Sequence, residues 1–425
     1  MKRESRTVVR AVQGDSASPQ RHLPLVDLLV DTRTELFALA IRSGLRVLDA
    51  MLEEDRTAVC GPRYAHQPAR VASRAGTVAS DVVLGGRKVA IRRPRVRAEG
   101  REVELPTFRT LADTDPLNRR VVEQMLVGVA TRQYARSLEP LPAETKSRGT
   151  SKSSVSRRFV AKTAAQLAAW QSTPLDTLDL VGLILDGVHI GDHCLVVALG
   201  IAADGQKHAL GLWEGATENA TVCQSLLANL QSRGLRTDRS LLVILDGSKA
   251  LRNAVQATFG QAALVQRCQL HKLRNVMDHL PERQRPWVQA IMRRAYRSDV
   301  PTARRLLQDL ARRLEDEYPS AAESVREGLE ETLTVMGLGL SERLQRSLTT
   351  TNAAESLISR TRHVKRNVKR WRGGKMMLRW VAAGVLEAVK GFRRLKGHRD
   401  MPTLVAKLRA RDQQLGLNKA EEKVA

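Results

Sequence analysis

Two stretches of this chain constrain its fold more than any other feature. "VGLILDGVHI" (181–190) and "LLVILDGSKALRNAV" (241–255) each run through uninterrupted apolar residues into an aspartate and then a glycine. A continuous apolar run of this length is the mark of a strand covered on both faces, which requires a sheet with helices packed on either side. An Asp-Gly at the end of one such run reads equally as a turn or as the N-cap of the next helix. Two of them, at Asp186 and Asp246 and sixty residues apart, ask for a common explanation. Ligands and catalytic groups gather at the carboxyl edge of such sheets.

The surrounding pattern predicts the rest of the sheet. "LDLVGLILDG", "HCLVVALGIAAD" and "KHALGLWEG" are consecutive strand-like runs, and short links between them suit an antiparallel meander. A helix at 218–233, the strand "LLVILDG", a helix at 248–258, the strand "AALVQRC" and a helix from His271 follow. The order β-β-β-α-β-α-β-α predicts an α/β fold with a mixed sheet over residues 176–280. Residues 281–345 carry only Arg- and Glu-rich helical patterns and are expected to form an all-helical insertion. Residues 346–395 then return to the core with "TTTNAAESL" and an apolar helix, and 396–425 are expected to be a surface helix and tail.

Upstream, residues 1–110 read as a polar tail, a helix over 23–58 and a β-hairpin turning at Gly85-Gly86. In "RKVAIRRPRVR" the alternation of Val or Ile with Arg gives one buried and one cationic face, either an edge strand protected by charge or a contact to DNA backbone. Residues 111–175 hold helical patterns at 117–131 and 151–170. The second is Ser-capped with Arg157, Arg158 and Lys162 in its early turns, which suits a mostly helical DNA-binding region with a helix-turn-helix or an ordinary helical pair.

Charge points to a partner. The net charge is +25 and the sequence pI about 10.8, with 42% hydrophobic residues to build a core. Binding that releases counterions from a polyanion is the common use of such an excess, and nucleic acid is the expected partner, ahead of ribosome or anionic membrane surface. No apolar run approaches the roughly 20 residues of a membrane span, and the N-terminal residues have no apolar core of a signal peptide. With four scattered cysteines (Cys60, Cys194, Cys223, Cys268) this suits a reducing, cytoplasmic, nucleoid-associated protein.

Two carboxylates gathered at one sheet edge repel unless they are protonated or bridged by a cation. A hard divalent ion takes oxygen ligands, and two such ions can drive phosphoryl transfer. The lone acid of "TTTNAAESL", Glu355, is the candidate third ligand. The basic stretch after it, Arg360, Arg362, Lys365, Arg366, Lys369, Arg370, Arg372 and Lys375, is either a solvated face or a grip on DNA backbone. Trp371 reads as core or as a base-stacking residue, and Trp380 as core.

The succession of the first Asp-Gly, "ILDGSKALRNAV", "QRCQLHKLRNV" and "TTNAAESLISR" resembles the bacterial insertion-sequence transposases of the IS256 and Mutator-like class, over roughly 20–395. The resemblance implies an RNase H-like catalytic core with a DDE triad of Asp186, Asp246 and Glu355 as catalytic and metal-binding residues. The step of 109 positions from Asp246 to Glu355 matches the family's helical insertion between the second aspartate and the glutamate. It also implies Mg²⁺, two ions, with Mn²⁺ as a substitute; double-stranded DNA, transposon ends and target, as partner; and a homodimer or larger assembly. Cys268 and His271 correspond to the family's C-x2-H element. No further ligands stand near enough in sequence for a structural zinc, so His271 is expected beside the acids, with His189 as a second supporting residue. The sequence departs from the family where a tryptophan often follows the glutamate of "GATENATVCQ", near Cys223 here. Two rival readings remain: a nuclease of the same fold that only hydrolyses, and a non-catalytic DNA-binding regulator derived from a transposase.

Overall fold

In a computed structural model the described residues are 25–65, 71–190, 193–215, 220–362, 368, 371 and 373–417, with side chains described except at 25–34 and 362. The N-terminal tail, the end of the C-terminal tail, and Lys365, Arg366, Lys369, Arg370 and Arg372 therefore lie outside the described residues. The chain divides into two units, one reaching residue 162 apart from 126–128, the other taking the remainder.

In the first unit, helix α1 (Leu25–Cys60) is followed by β1 (Ala72–Leu84), β2 (Arg87–Ala98), β3 (Arg101–Val103), α2 (Pro106–Ala112), α3 (Asp115–Leu126) and the two-residue β4 (Ser147–Arg148). The predicted hairpin forms: Leu84 pairs with Arg87 across Gly85 and Gly86, both with positive φ (54° and 80°), which a two-residue turn of this hand requires. Val89 and Val96 of β2 are buried with Leu48, Leu52 and Leu105. Arg93 and Arg95 both reach Glu102 of β3, so part of the strand's positive charge is neutralised within the sheet. Helix α3 stops five residues short of the predicted end, before Gly128 with φ 100°. Helix α4 (Lys152–Ser172) begins in this unit.

The second unit is built on a five-stranded sheet. Strands β5 (Leu180–Ile190), β6 (His193–Ala202) and β7 (Lys207–Gly215) form the antiparallel meander. Then α5 (Ala220–Ser232), β8 (Leu241–Leu245), α6 (Lys249–Phe259), β9 (Ala263–Arg267) and α7 (Gln269–Asp278) follow. The strand order is β7-β6-β5-β8-β9, with β8 parallel to both β5 and β9. Successive strand residues point to opposite faces. Leu183, Leu185, Leu241, Val243 and Leu245 accordingly pack with α5 and α6. Ile184, Leu242 and Ile244 face the other core, which the later helices cover.

Between α7 and the return to the sheet lie α8 (Arg285–Ala295), α9 (Val300–Leu314), α10 (Pro319–Arg326), α11 (Leu329–Leu333) and α12 (Glu342–Leu348), with no strand among the described residues. Helices α8 to α11 enclose a separate core with α7, including Val276, Val288, Met292, Leu307, Leu310 and Leu314, whereas Leu344 and Leu348 of α12 join the core on the sheet. Helices α13 (Asn352–Arg362), α14 (Gly374–Val389) and α15 (Met401–Leu415) then cover the sheet face that holds Ile184 and Ile244. Trp380 is buried and Trp371 packs against the same core. No helix among the described residues is long and apolar enough to cross a membrane.

Candidate functional site

The same parity that sorts the core sets the acids. Leu185 pairs with Leu245 in parallel register, so Asp186 and Asp246 are the next residues on adjacent strands. Both fall in step with Ile184 and Ile244, on the face covered by α13. The contact is direct: the Gly187 N–H donates to Asp246 Oδ2 at 3.3 Å. Asp186 is only 2% exposed, and its Oδ1 is a buried oxygen with no hydrogen-bond partner among the described residues.

Two details differ from the sequence reading. The first strand does not end at Asp186. It continues to Ile190 as a hairpin with β6, because β6 supplies a partner beyond the point where β8 stops. Asp246 is also not the helix cap. Ser248 is the N-cap of α6, its Oγ accepting the Leu251 N–H at 3.4 Å, while Asp246 Oδ1 accepts the Ser248 N–H at 2.9 Å. Asp246 thus closes a turn ahead of the cap.

Gly247 makes that turn. Its φ of 109° lies where L side chains rarely go, and a Cβ there would stand 2.6 Å from Arg267 Nε. The guanidinium of Arg267, from the end of β9, occupies the space a side chain would need. That group is buried and donates to the Glu327 carbonyl and to Glu327 Oε2, both at 3.0 Å. Its neighbour Lys272 is buried as well and donates to the same carbonyl; desolvation first, then Arg267, holds its amine down at about 7.

Glu355 arrives in the first turn of α13 and joins Asp186, Gly187, His189, His271 and Arg274 in lining a cavity of about 650 Å³. Its Oε1 lies 3.0 Å from Arg274 Nη1 and 3.3 Å from His271 Nε2. The C-x2-H element is what places it. Cys268 Sγ accepts the Thr351 N–H at 3.4 Å, the Gln269 N–H donates to the Thr349 carbonyl at 3.0 Å, and Thr351 Oγ1 lies 3.3 Å from His271 Nδ1. Cys268 and His271 therefore tie the start of α7 to the three residues that lead into α13. All four cysteines are buried.

Electrostatics follow from this crowding. Burial pushes the Asp186 carboxyl up to about 7, and the negative charges of Asp246 and Glu355 add to the push. His271 is held up at about 9, by its contact with Cys268 first and then by Asp186 and Asp246. These groups fit a hard divalent ion by their chemistry: oxygen donors, an orphaned buried Asp186 oxygen, and an excess of negative charge that a cation relieves. Among the described residues no three His, Cys, Asp or Glu side chains are yet gathered as a ligand set, and Glu355 faces Arg274 and His271 instead.

The other sequence-predicted residues are dispersed. His189 is exposed at the cavity wall. In α4, Arg158 donates to Asn118 Oδ1 at 2.9 Å and Lys162 pairs with Asp115, while Arg157 is exposed. Arg360 and Lys375 are exposed. Arg274, Thr351 and Asn352, none of them picked out from the sequence, belong to the site. Only the three-residue step from His271 to Arg274, one helical turn, carried a signal for the first of them.

Comparison with known proteins bears on the same residues. The model of "Transposase, Mutator family" matches residues 31–394. The transposase for insertion sequence element ISRM3 of Rhizobium meliloti (strain 1021) is 30% identical over 207 residues, 47% of this chain and 50% of that protein. The transposase for ISRM5 of the same strain is 27% identical over 320 residues, 73% of this chain and 77% of its own. The transposase for IS256 in transposon Tn4001 of Staphylococcus aureus is 26% identical over 236 residues, 51% of this chain and 57% of its own. The chain spans about half the length of the ISRM3 relative. With the family match running unbroken from α1 to beyond α14, through all three acids, the chain belongs to the Mutator family of transposases.

Proposed function

We propose that this protein is a DNA transposase that binds the terminal inverted repeats of an insertion sequence, cuts DNA strands and joins the freed 3′-hydroxyl to target DNA. The observation that carries the reading is that Asp186 and Glu355 line one cavity while Asp246 accepts the N–H of Gly187, the residue after Asp186, in a protein of net charge +25. The five-stranded mixed sheet, a three-strand meander extended by two parallel strands, supports an RNase H-like core. The helices between α7 and α13 support the reading of an insertion within it.

Asp186, Asp246 and Glu355 would hold Mg²⁺, two ions, with Mn²⁺ as a substitute. A divalent ion bound there supplies charge neutralisation and Lewis acidity for phosphoryl transfer. The chain's own residues do the positioning. The Gly187 N–H fixes one oxygen of Asp246 and the Ser248 N–H the other. His271 and Arg274 hold Glu355 at the cavity wall and present positive charge where a phosphodiester would enter. No side chain is asked to form a covalent bond to DNA, since water and then a DNA hydroxyl serve as nucleophiles. Pairing two transposon ends calls for a homodimer or larger assembly.

A strand-transfer assay separates this reading from a hydrolytic nuclease. With a labelled, pre-cut transposon end bearing a 3′-hydroxyl, a plasmid target and Mg²⁺, covalently joined product is expected. Nicked plasmid with no joined label would replace strand transfer by hydrolysis, and neither product would favour a non-catalytic regulator.

A further inference from the structure

A second cavity, of about 1000 Å³, adjoins the first along α13 and shares Asn352 and Ser356 with it. Helical periodicity explains the division. Asn352, Ser356 and Arg360, spaced by four, form the ridge facing the second cavity, while Glu355 and Ser359 face the first. Seven of the residues lining the second cavity are Lys or Arg and none is Asp or Glu. Arg343, Arg360, Arg393 and Lys396 are exposed there, and among the described residues no carboxylate pairs with them. Lys207 lies over the Phe392 ring at 5.0 Å, its ammonium half-buried beside Arg360. The other two arginines of the lining do find acids, Arg346 with Glu342 and Arg394 with Asp204, as do Arg304 with Glu330 and Arg252 with Glu331 elsewhere on this unit. A concave surface that gathers more cations than its neighbouring acids neutralise, as Arg343, Arg360, Arg393 and Lys396 do here, is self-repelling until an anion occupies it.

We propose that this groove holds the phosphate backbone of DNA leading away from the scissile position, so that a strand lies along Asn352, Ser356 and Arg360 between the groove and the acidic cavity. The proposal rests on reading Asp186, Asp246 and Glu355 as the strand-cutting centre. It assigns the DNA grip to residues scattered over β7, α12, α13 and the segment after α14.

The test is equilibrium binding of a labelled mixed-sequence duplex of about 40 base pairs in EDTA, titrated over salt. The triple variant Arg343→Ser, Arg393→Ser, Lys396→Ser is expected to lower the salt slope by up to ~2.7, at roughly 0.9 for each phosphate no longer neutralised. Its affinity at moderate salt should fall about 10- to 100-fold with an unchanged melting temperature. The charge-keeping triple Arg343→Lys, Arg393→Lys, Lys396→Arg should retain the wild-type slope, which guards against loss by misfolding. A control that removes equal charge from the helical region, Arg283→Ser, Arg293→Ser, Arg305→Ser, should change the slope by less than half as much. A wild-type slope in the groove variant, or an equal loss in the control, overturns the proposal. Cleavage by the wild type, measured in parallel with Mg²⁺, reports on the catalytic reading independently, so either can fail while the other stands.

Discussion

Asp186→Asn is expected to abolish strand cleavage, by at least ~10³-fold, while making the metal-free protein more stable by about 2 kcal/mol. Both effects have one cause. The Asp186 carboxylate is 2% exposed, leaves Oδ1 with no partner among the described residues, and shares its surroundings with Asp246 and Glu355. An ionised group in that place costs stability unless a cation offsets it. An asparagine of the same shape removes the charge and brings an amide that can donate to a neighbouring carboxylate. Chemical denaturation in EDTA reads the gain. With Mg²⁺ added, the wild type should gain stability and the variant much less, because binding to the folded state alone stabilises by mass action. An Asp186→Asn protein no more stable than the wild type in EDTA would show that the acids are not in electrostatic conflict.

Gly247→Ala is expected to cost about 3 kcal/mol or more. The backbone at φ 109° imposes strain of about 1–3 kcal/mol on any L side chain. The added carbon would also meet Arg267 Nε at 2.6 Å, and that guanidinium has little room to yield because Glu327 holds it by a carbonyl and a carboxylate oxygen. Relief by moving the Asp246–Ser248 turn would displace Asp246 from the Gly187 N–H. Cleavage should therefore fall together with the denaturation midpoint. A change below about 0.5 kcal/mol would mean that the turn is not braced from β9.

Much of the sheet was legible because its strands are apolar on both faces, and because glycine and aspartate punctuate them. The alternation that puts Ile184 and Ile244 on one face carries Asp186 and Asp246 with them, so the shared face of the two acids follows from strand periodicity, while the parallel register of β5 and β8 sets them side by side. Glu355 stood out as a lone acid in an uncharged segment. What was hidden depended on contacts between distant segments. The true end of β5 is set by β6, which supplies partners as far as His193. The cap of α6 passed to Ser248 because Gly247 turns the chain before the helix begins. Arg274 and Thr351 act through partners about eighty positions away, which no local pattern records. Charge was the least readable signal. Arg158 and Lys162 look like DNA contacts in sequence yet bond to Asn118 and Asp115, whereas Arg343, Arg393 and Lys396 share a groove from segments that no single basic run includes.

On the proposed reading the two aspartates and Glu355 act together in cutting DNA, and Asp246→Asn addresses this with the least disturbance. Asparagine keeps an oxygen to accept the Ser248 or Gly187 N–H but removes the negative charge. The measurement is Mg²⁺-dependent cleavage of inverted-repeat DNA by wild type and variant, at matched DNA binding and melting temperature. The expected result is cleavage by the wild type and at least ~10³-fold less by Asp246→Asn. Cutting and joining by the variant at the wild-type rate would contradict the assignment of these carboxylates to catalysis.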